Sequence, residues 1–180
     1  MRYAAVASVL LLTTGALSVT AQTTALAGAP VRAAVGNRPL SMTSAGVTDF
    51  GSVTGADVVT GSGSAAINAV APGPGQSTAM FSIAGEPNVA VSVTCGPALP
   101  LILSSDGSQF IYFLPFVVHS TNPANQLGAF GGCTAASAFF TPLGADGALH
   151  LWLGGNLNIG SHNPPTAGLY TSTYTISIAY

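Results

Sequence analysis

The sequence predicts an all-β fold, either a sandwich or a barrel, on three observations. Its 22 glycines and 12 prolines interrupt the chain throughout, and no stretch keeps a helical period for three turns. Between these interruptions, short segments alternate apolar and polar residues, as half-buried strands do. The chain of 180 residues is long enough to form one domain with a core of its own.

Three segments in the first half of the chain have this alternation, namely SAAINAV, STAMFSIAG and NVAVSVTC. Their apolar residues share one face of each predicted strand: Ala65, Ile67 and Ala69; Ala79, Phe81 and Ile83; Val89, Val91, Val93 and Cys95. Cys95 is therefore expected to point toward the core with the valines.

Three further strands are predicted in the second half, within LPLILSSDG, QFIYFLPFVV and GALHLWLGG. The second is apolar on both faces and contains Pro115, which predicts a strand buried on both sides or one with proline at an edge or bulge. It is too short for a helix that crosses a membrane. In the third, the leucines face inward while His150 and Trp152 face outward, or the reverse.

The C-terminal segment AGLYTSTYTISIAY predicts a last strand with an apolar face. That face carries Tyr170, Ser172, Tyr174, Ile176, Ile178 and Tyr180, and the opposite face is small and rich in hydroxyl groups. A strand this apolar must be covered either by the rest of its own fold or by another chain.

The N-terminus has the layout of a secretory signal peptide over residues 1–21, with one early arginine, a short apolar core and small residues before the expected cleavage site after Ala21. We expect an exported protein, found in the periplasm, at the cell surface or outside the cell. Residues 22–38 form a leader and residues 39–180 a single domain. Every second leader residue is apolar, namely Ala25, Ala27, Ala29, Val31, Ala33 and Val35. This pattern allows either a β-strand or a disordered leader.

The near absence of charge excludes some partners and favours others. Charged residues make up 4% of the chain, which has no lysine and a formal net charge of -2. This composition lacks the basic footprint that nucleic acids or anionic lipids require. It does little to oppose self-association, so copies of the same chain are the expected partners.

The two cysteines, Cys95 and Cys133, predict one structural disulfide in an exported protein. Such a bond would stabilise the fold by about 3–4 kcal/mol in the chain-entropy model. No Cys-x-x-Cys spacing indicates a metal or redox site.

Enzymatic motifs are weak throughout the sequence. His119, His150 and His162 have no metal-binding spacing, and Asp106 and Asp146 lie in turn-like segments. We expect neither a catalytic site nor a metal or other cofactor. A hydrolase would require His150, His162 and a carboxylate to share one pocket. Trp152 could stack on a sugar if exposed, or pack in the core or at an interface.

The C-terminal third resembles a bacterial family of secreted proteins known as domain of unknown function 4402. The shared motif is a Gly-Gly-x-Leu-x-Ile-Gly stretch followed by Gly-x-Tyr and an alternating terminal strand. In this chain its residues are Gly154, Gly155, Leu157, Ile159, Gly160, Gly168 and Tyr170. The segments FGSVTG and FSIAGEPNVAVSV resemble earlier blocks of the family.

That family in turn resembles the adhesin and pilin superfamily, which implies an immunoglobulin-like or pilin-like antiparallel β-sandwich. Gly168 and Tyr180 have the twelve-residue spacing of the superfamily's last strand, although the aromatic residue is last here rather than next to last. The resemblance implies that a periplasmic chaperone first binds the terminal strand. The strand later pairs with a strand donated by a neighbouring subunit. The donor here would include Ala27, Ala29, Val31, Ala33 and Val35.

We therefore expect a non-enzymatic structural or adhesive subunit of a bacterial surface assembly. The alternatives are a monomeric secreted binding module, for example for glycans through Trp152, and a hydrolase.

Overall fold

A computed structural model of the chain describes residues 38–60, 65–105, 107–158 and 165–180. Within these ranges the fold is nearly all β, which confirms the predicted class. The strands are β1 (Ser41–Ala45), β2 (Ala66–Ile67), β3 (Ala79–Ala84), β4 (Ala90–Cys95), β5 (Leu99–Leu103), β6 (Phe110–Ser120), β7 (Phe130–Thr134), β8 (Ala138–Pro142), β9 (Ala148–Asn158), β10 (Tyr170–Thr171) and β11 (Ile176–Ala179). A short helix, α1 (Gly55–Thr60), lies between β1 and β2.

The strands form two sheets with antiparallel pairing. The larger sheet has eight strands, ordered β1-β3-β9-β6-β5-β10, with β2 also pairing with β9 and β7 with β6. The smaller sheet has three strands, ordered β11-β4-β8. Their packing against a common core makes the fold sandwich-like.

The core lies between the inner faces of the two sheets. Alternation places Leu149 and Leu151 of β9 there at 0% exposure, opposite Val91 and Val93 of β4, also at 0%. The predicted disulfide is present: Cys95 of β4 and Cys133 of β7 have Cα atoms 6.0 Å apart. It therefore links the smaller sheet to the larger one.

Pro115 lies in the interior of β6, a central strand of the larger sheet. On one side, Pro115 is paired with Gly155 of β9. On the other, the pairing with β5 ends at Phe113 and the pairing with β7 begins at Phe116. Proline lies in this gap between two partner strands, where a missing N–H donor costs little.

The C-terminal segment differs from its prediction because it forms two short strands rather than one. Tyr170 and Thr171 pair with β5 in the larger sheet, whereas Ile176–Ala179 pairs with β4 in the smaller sheet. Gly96 holds the chain where it crosses from the larger sheet to the smaller one. The Gly96 N–H donates to the Thr175 carbonyl oxygen (3.2 Å), and the Gly96 carbonyl oxygen accepts from the Tyr174 hydroxyl (2.9 Å). The terminal segment therefore bridges the two sheets.

No helix within the described residues has the length and apolar character needed to span a membrane.

Candidate functional site

The candidate site is the side of the sandwich formed by the β1 edge of the larger sheet and the β11 edge of the smaller sheet. Among the described residues, β1 pairs only with β3, and β11 pairs only with β4. Each strand therefore presents one row of backbone N–H and C=O groups that no described strand pairs with. Such an edge is a template for pairing with another extended segment.

The hydroxyl of Tyr180 ties the two open edges together at one end of the domain. It donates a hydrogen bond to the Arg38 carbonyl oxygen, just before β1, and accepts one from the Glu86 N–H (2.9 Å). The Arg38 N–H in turn donates to a carboxylate oxygen of Glu86 (2.9 Å). The end of β11 is thereby fixed beside the beginning of β1.

Apolar side chains along these two edges are only partly covered. Leu40 just before β1, Met42 of β1 and Ile178 of β11 pack against the core but keep part of their surface exposed. Ile176 of β11, by contrast, is 4% exposed. The space beside the edges is thus apolar and could be covered further by an added strand.

A cleft of about 880 Å³ opens at the other end of the two edges. Its floor is the inner face of the larger sheet, where the smaller sheet does not cover it. Residues from four neighbouring strands, β3, β9, β6 and β5, form this floor: Ala79, Phe81, Leu153, Leu157, Ile111, Phe113, Leu99 and Leu101. Two connecting segments, residues 46–55 and 165–174, form its walls.

Aromatic rings fix the shape of the cleft. Phe113 on the floor makes edge contacts with Phe50 on one wall (ring centroids 5.9 Å apart) and with Tyr174 on the other (6.0 Å). The wall that carries Phe50 leads into α1, whose start is capped by Thr54 and Asp57. The Asp57 N–H donates to the Thr54 hydroxyl oxygen (3.2 Å), and the Thr54 N–H donates to the Asp57 carboxylate (3.0 Å).

The tyrosine hydroxyls of the other wall are bonded within the protein. Tyr170 donates to the Thr166 carbonyl oxygen (2.9 Å), and Tyr174 donates to that of Gly96 (2.9 Å). Burial raises the pKa of Tyr174 to about 12. Both rings therefore present carbon surface to the cleft while their hydroxyls stabilise the wall.

The structure brings together most of the residues predicted for assembly. Gly168, Tyr170 and Tyr174 line the cleft, and Ile176, Ile178 and Tyr180 follow along the β11 edge. The predicted donor residues Ala27, Ala29, Val31, Ala33 and Val35 lie outside the described residues, as do the signal peptide and His162.

Trp152 lies on the outer face of β9 but is only 3% exposed. It packs with Ala69 and Val118 in a second, smaller apolar cluster, against which Val70 and Ala129 also lie. The indole is therefore placed as a core tryptophan, the alternative that the sequence left open. It presents no exposed ring face on which a sugar could stack.

His150 lies beside a hydroxyl group on the outer face of the larger sheet. The Ser82 Oγ and the His150 Nδ1 are 3.2 Å apart. Burial lowers the pKa of His150, and the nearby Asp146 carboxylate partly opposes this shift. The Asp146 Oδ1 accepts from the Ala148 N–H (2.9 Å), in keeping with its turn position. Neither His119 nor His150 lines the cleft.

The sequence did not single out Phe50 or Phe113 as site residues. Phe113 is buried and lies in a segment that is apolar on both faces, so no local signal marks it as a residue of the cleft. Phe50 follows β1 in a connecting segment, and its contact with Phe113 joins residues far apart in the chain. Only the three-dimensional arrangement identifies this pair.

A family model described as "Domain of unknown function (DUF4402)" matches residues 39–180. No curated protein and no solved structure matches the chain.

Proposed function

We propose, from the premise that this chain belongs to the DUF4402 family, that it is a non-enzymatic structural subunit of a bacterial surface assembly. Copies of the chain associate by β-strand donation, and the assembly serves a structural or adhesive role. The observation that carries this proposal is the open edge of β11, which faces the side of the sandwich where β1 is also open.

The acceptor in this proposal is the space between the β11 and β1 edges. A strand placed there would pair with the backbone of β11 and cover the partly exposed side chains of Met42 and Ile178. Backbone hydrogen bonds would supply general affinity, and alternate side chains would supply specificity. Tyr180 and Arg38 would mark the end of the added strand.

The donor is the leader of a neighbouring copy. Its alternating face, from Ala25 to Val35, offers four alanine methyl groups and two valine side chains. Small side chains suit a shallow space between two edges. Pro30 would sit with its nitrogen facing away from the acceptor backbone.

Export and a chaperone complete the proposal. The signal-like sequence of residues 1–21 would direct the chain out of the cytoplasm. An open, partly apolar edge is an aggregation hazard before assembly. A periplasmic chaperone that covers the β11 edge would remove this hazard until a donor arrives.

The test compares the assembly state of the mature chain, residues 22–180, with that of a variant lacking residues 22–37. Size-exclusion chromatography, unboiled gel electrophoresis and negative-stain microscopy would detect ladders or filaments. The proposal expects them from the mature chain and not from the shortened one. Monodisperse monomers from both chains would overturn it.

A matched pair of variants in the full mature chain makes the test specific. Ala33 belongs to the alternating face of the leader, and its neighbour Ala34 to the opposite face. Ala33→Asp would place a charge against the apolar acceptor and abolish ladders, whereas Ala34→Asp would leave them intact. Equal effects of the two substitutions would argue against a strand with one buried face.

A second candidate function is binding of a neutral glycan by the exposed outer face of the larger sheet. Tyr112 (38% exposed) and Phe116 (39%) of β6 lie there, and the exposed Asn156 of β9 is paired with Leu114 between them. Aromatic faces beside an amide group could stack on and bond to a sugar. A glycan array would show signal lost in Tyr112→Ala and Phe116→Ala but kept in Leu127→Ala, a loop residue that is 78% exposed.

A further inference from the structure

The cleft has more volume than the small side chains of the leader proposed above would fill. Its volume of about 880 Å³ lies within the range of roughly 300–1,000 Å³ typical of small-molecule sites. The four alanine methyl groups and two valine side chains of a donated strand would leave most of this space empty. A ligand other than the leader is therefore needed to fill the cleft.

The floor of the cleft fits an extended apolar chain. Its side chains come from four neighbouring strands, and strands lie about 4.8 Å apart, so the floor is roughly 14 Å wide. Polar groups at its edges are already bonded within the protein. The Thr48 hydroxyl donates to the Leu153 carbonyl oxygen (2.9 Å) and accepts from the Ala79 N–H (3.1 Å).

The mouth of the cleft differs from the floor in polarity and charge. Hydroxyl-bearing residues line it, and Thr171, Ser172 and Thr173 are exposed. Among the described lining residues, Asp49 is the only charged one, and it is exposed. Its carboxylate would repel an anionic group and attract a cationic one.

We propose that the cleft binds an amphiphile with a single alkyl chain and an uncharged or cationic head. The chain lies along the floor beside Phe81, Leu99 and Leu101, three floor side chains that keep part of their surface exposed. The head stays at the mouth, near the exposed hydroxyl groups and Asp49. This site is separate from strand pairing at the β11 edge, since β11 itself does not line the cleft.

Isothermal titration calorimetry on the full mature chain tests this inference with three probes that share one alkyl chain. Dodecyl maltoside is uncharged, dodecyltrimethylammonium is cationic and dodecyl sulfate is anionic, and each is used below its micelle concentration. We expect saturable one-to-one binding of the first two. Dodecyl sulfate should bind more weakly, by up to about fivefold, because the Asp49 carboxylate is exposed and acts through water.

Two substitutions on β1 provide a blocked cleft and its control. Ser44 is paired with Phe81 and lines the cleft, whereas Thr43 is paired with Ser82 on the opposite face. Ser44→Trp would fill the cleft without removing any core atom and weaken dodecyl maltoside binding at least about tenfold. Thr43→Trp would leave that affinity unchanged.

Asp49→Asn gives a second test that does not depend on a bulky side chain. Asparagine keeps an oxygen that can accept the hydrogen bond that Asp49 receives from the Gly51 N–H (2.8 Å). Dodecyl sulfate affinity should rise toward that of dodecyl maltoside, and dodecyl maltoside affinity should stay the same.

Three outcomes would overturn the inference. The first is no saturable binding of dodecyl maltoside to the mature chain. The second is binding that Ser44→Trp and Thr43→Trp change equally. The third is binding that appears only after residues 22–37 are removed, which would assign the cleft to the leader. Equal affinity for all three probes would overturn the proposed head-group preference. Ladder formation by the mature chain is scored separately, so either proposal can fail alone.

Discussion

At the scale of single residues, the hydroxyl of Tyr180 has a larger role than its exposed position suggests. The side chain is 46% exposed, yet its oxygen bonds to the backbone of Arg38, just before β1, and of Glu86, just after β3. It fixes the last residue of the chain against the first residues of the domain.

Tyr180→Phe is expected to lower the free energy of unfolding by about 1–2 kcal/mol, since two hydrogen bonds are lost at a half-exposed site. Urea denaturation followed by circular dichroism measures the change. Tyr112→Phe, which removes a hydroxyl from the exposed outer face, is the control and should leave stability nearly unchanged. Equal stability of the two variants would contradict the role given to Tyr180.

Tyr174 predicts a change of stability in alkaline solution. Burial raises its pKa from 10.0 to about 12, so the folded state favours the neutral phenol. This contribution is complete below pH 10 and is lost as the pH rises toward 12. Ultraviolet difference spectroscopy should find a tyrosine that ionises well above pH 10, and Tyr174→Phe should remove this signal. The absence of such a signal, or its survival in Tyr174→Phe, would be incompatible with this burial.

At the scale of strands, the Gly-Gly pair of β9 marks where other backbone segments approach closely. A Cβ atom on Gly154 would lie 2.6 Å from the Ile67 carbonyl oxygen. One on Gly155, whose φ is 149°, would collide with the Leu114 carbonyl oxygen. The motif that carries the family resemblance thus has a packing explanation in β9.

Gly155→Ala is expected to cost more than about 2 kcal/mol of stability, because both the collision and the strained φ must be relieved by moving backbone. Gly131→Ala on β7 is the matched control, since its added Cβ would meet only the Phe116 ring at 3.9 Å. Denaturant titration compares the two. Similar losses of stability in the two variants would show that replacing any strand glycine is costly, and that the close approach of the Leu114 carbonyl oxygen to Gly155 is not the cause.

The strands were predictable to the extent that their signal is local. Alternation correctly placed Cys95 toward the core and grouped Leu149 with Leu151 on one face, because the two-residue period depends only on neighbours in the sequence. It left open which face of β9 is the inner one. The division of the terminal segment into β10 and β11 was not predictable, because it depends on Gly96, which lies far from Tyr174 in the sequence. The burial of Trp152 was not predictable either. The residues that cover it, around Ala69 and Ala129, lie far from it in the sequence.

At the scale of the whole molecule, the disulfide joins the two sheets across the core. It closes a loop between positions 38 residues apart. In the chain-entropy model, its loss would lower the free energy of unfolding by about 3–4 kcal/mol. The double substitution Cys95→Ala and Cys133→Ala should lower stability by that amount in urea denaturation. The reduced wild-type protein should lose a similar amount. A loss well below about 1 kcal/mol in both the double variant and the reduced protein would show that the disulfide contributes little to stability.

The candidate site itself was only partly predictable. The sequence drew attention to the terminal residues Tyr170–Tyr180 because an apolar strand needs a cover, and the family resemblance implied that another chain supplies it. It could not show which edge stays open, since that depends on the order of strands in two sheets. The cleft beside Phe50 and Phe113 likewise arises from an incomplete smaller sheet, a property of the whole fold rather than of any segment.

Hydrogen–deuterium exchange of β11 tests the central claim most directly. In the monomer, β11 amides that face away from β4 have no strand partner among the described residues and should exchange quickly. In assembled material, a donated strand should protect them, while β8, the opposite edge of the same sheet, should keep its monomer exchange rates. Protection gained on β11 alone is the predicted result. Unchanged exchange on β11, or protection that appears on β8 instead, would contradict strand donation at this edge.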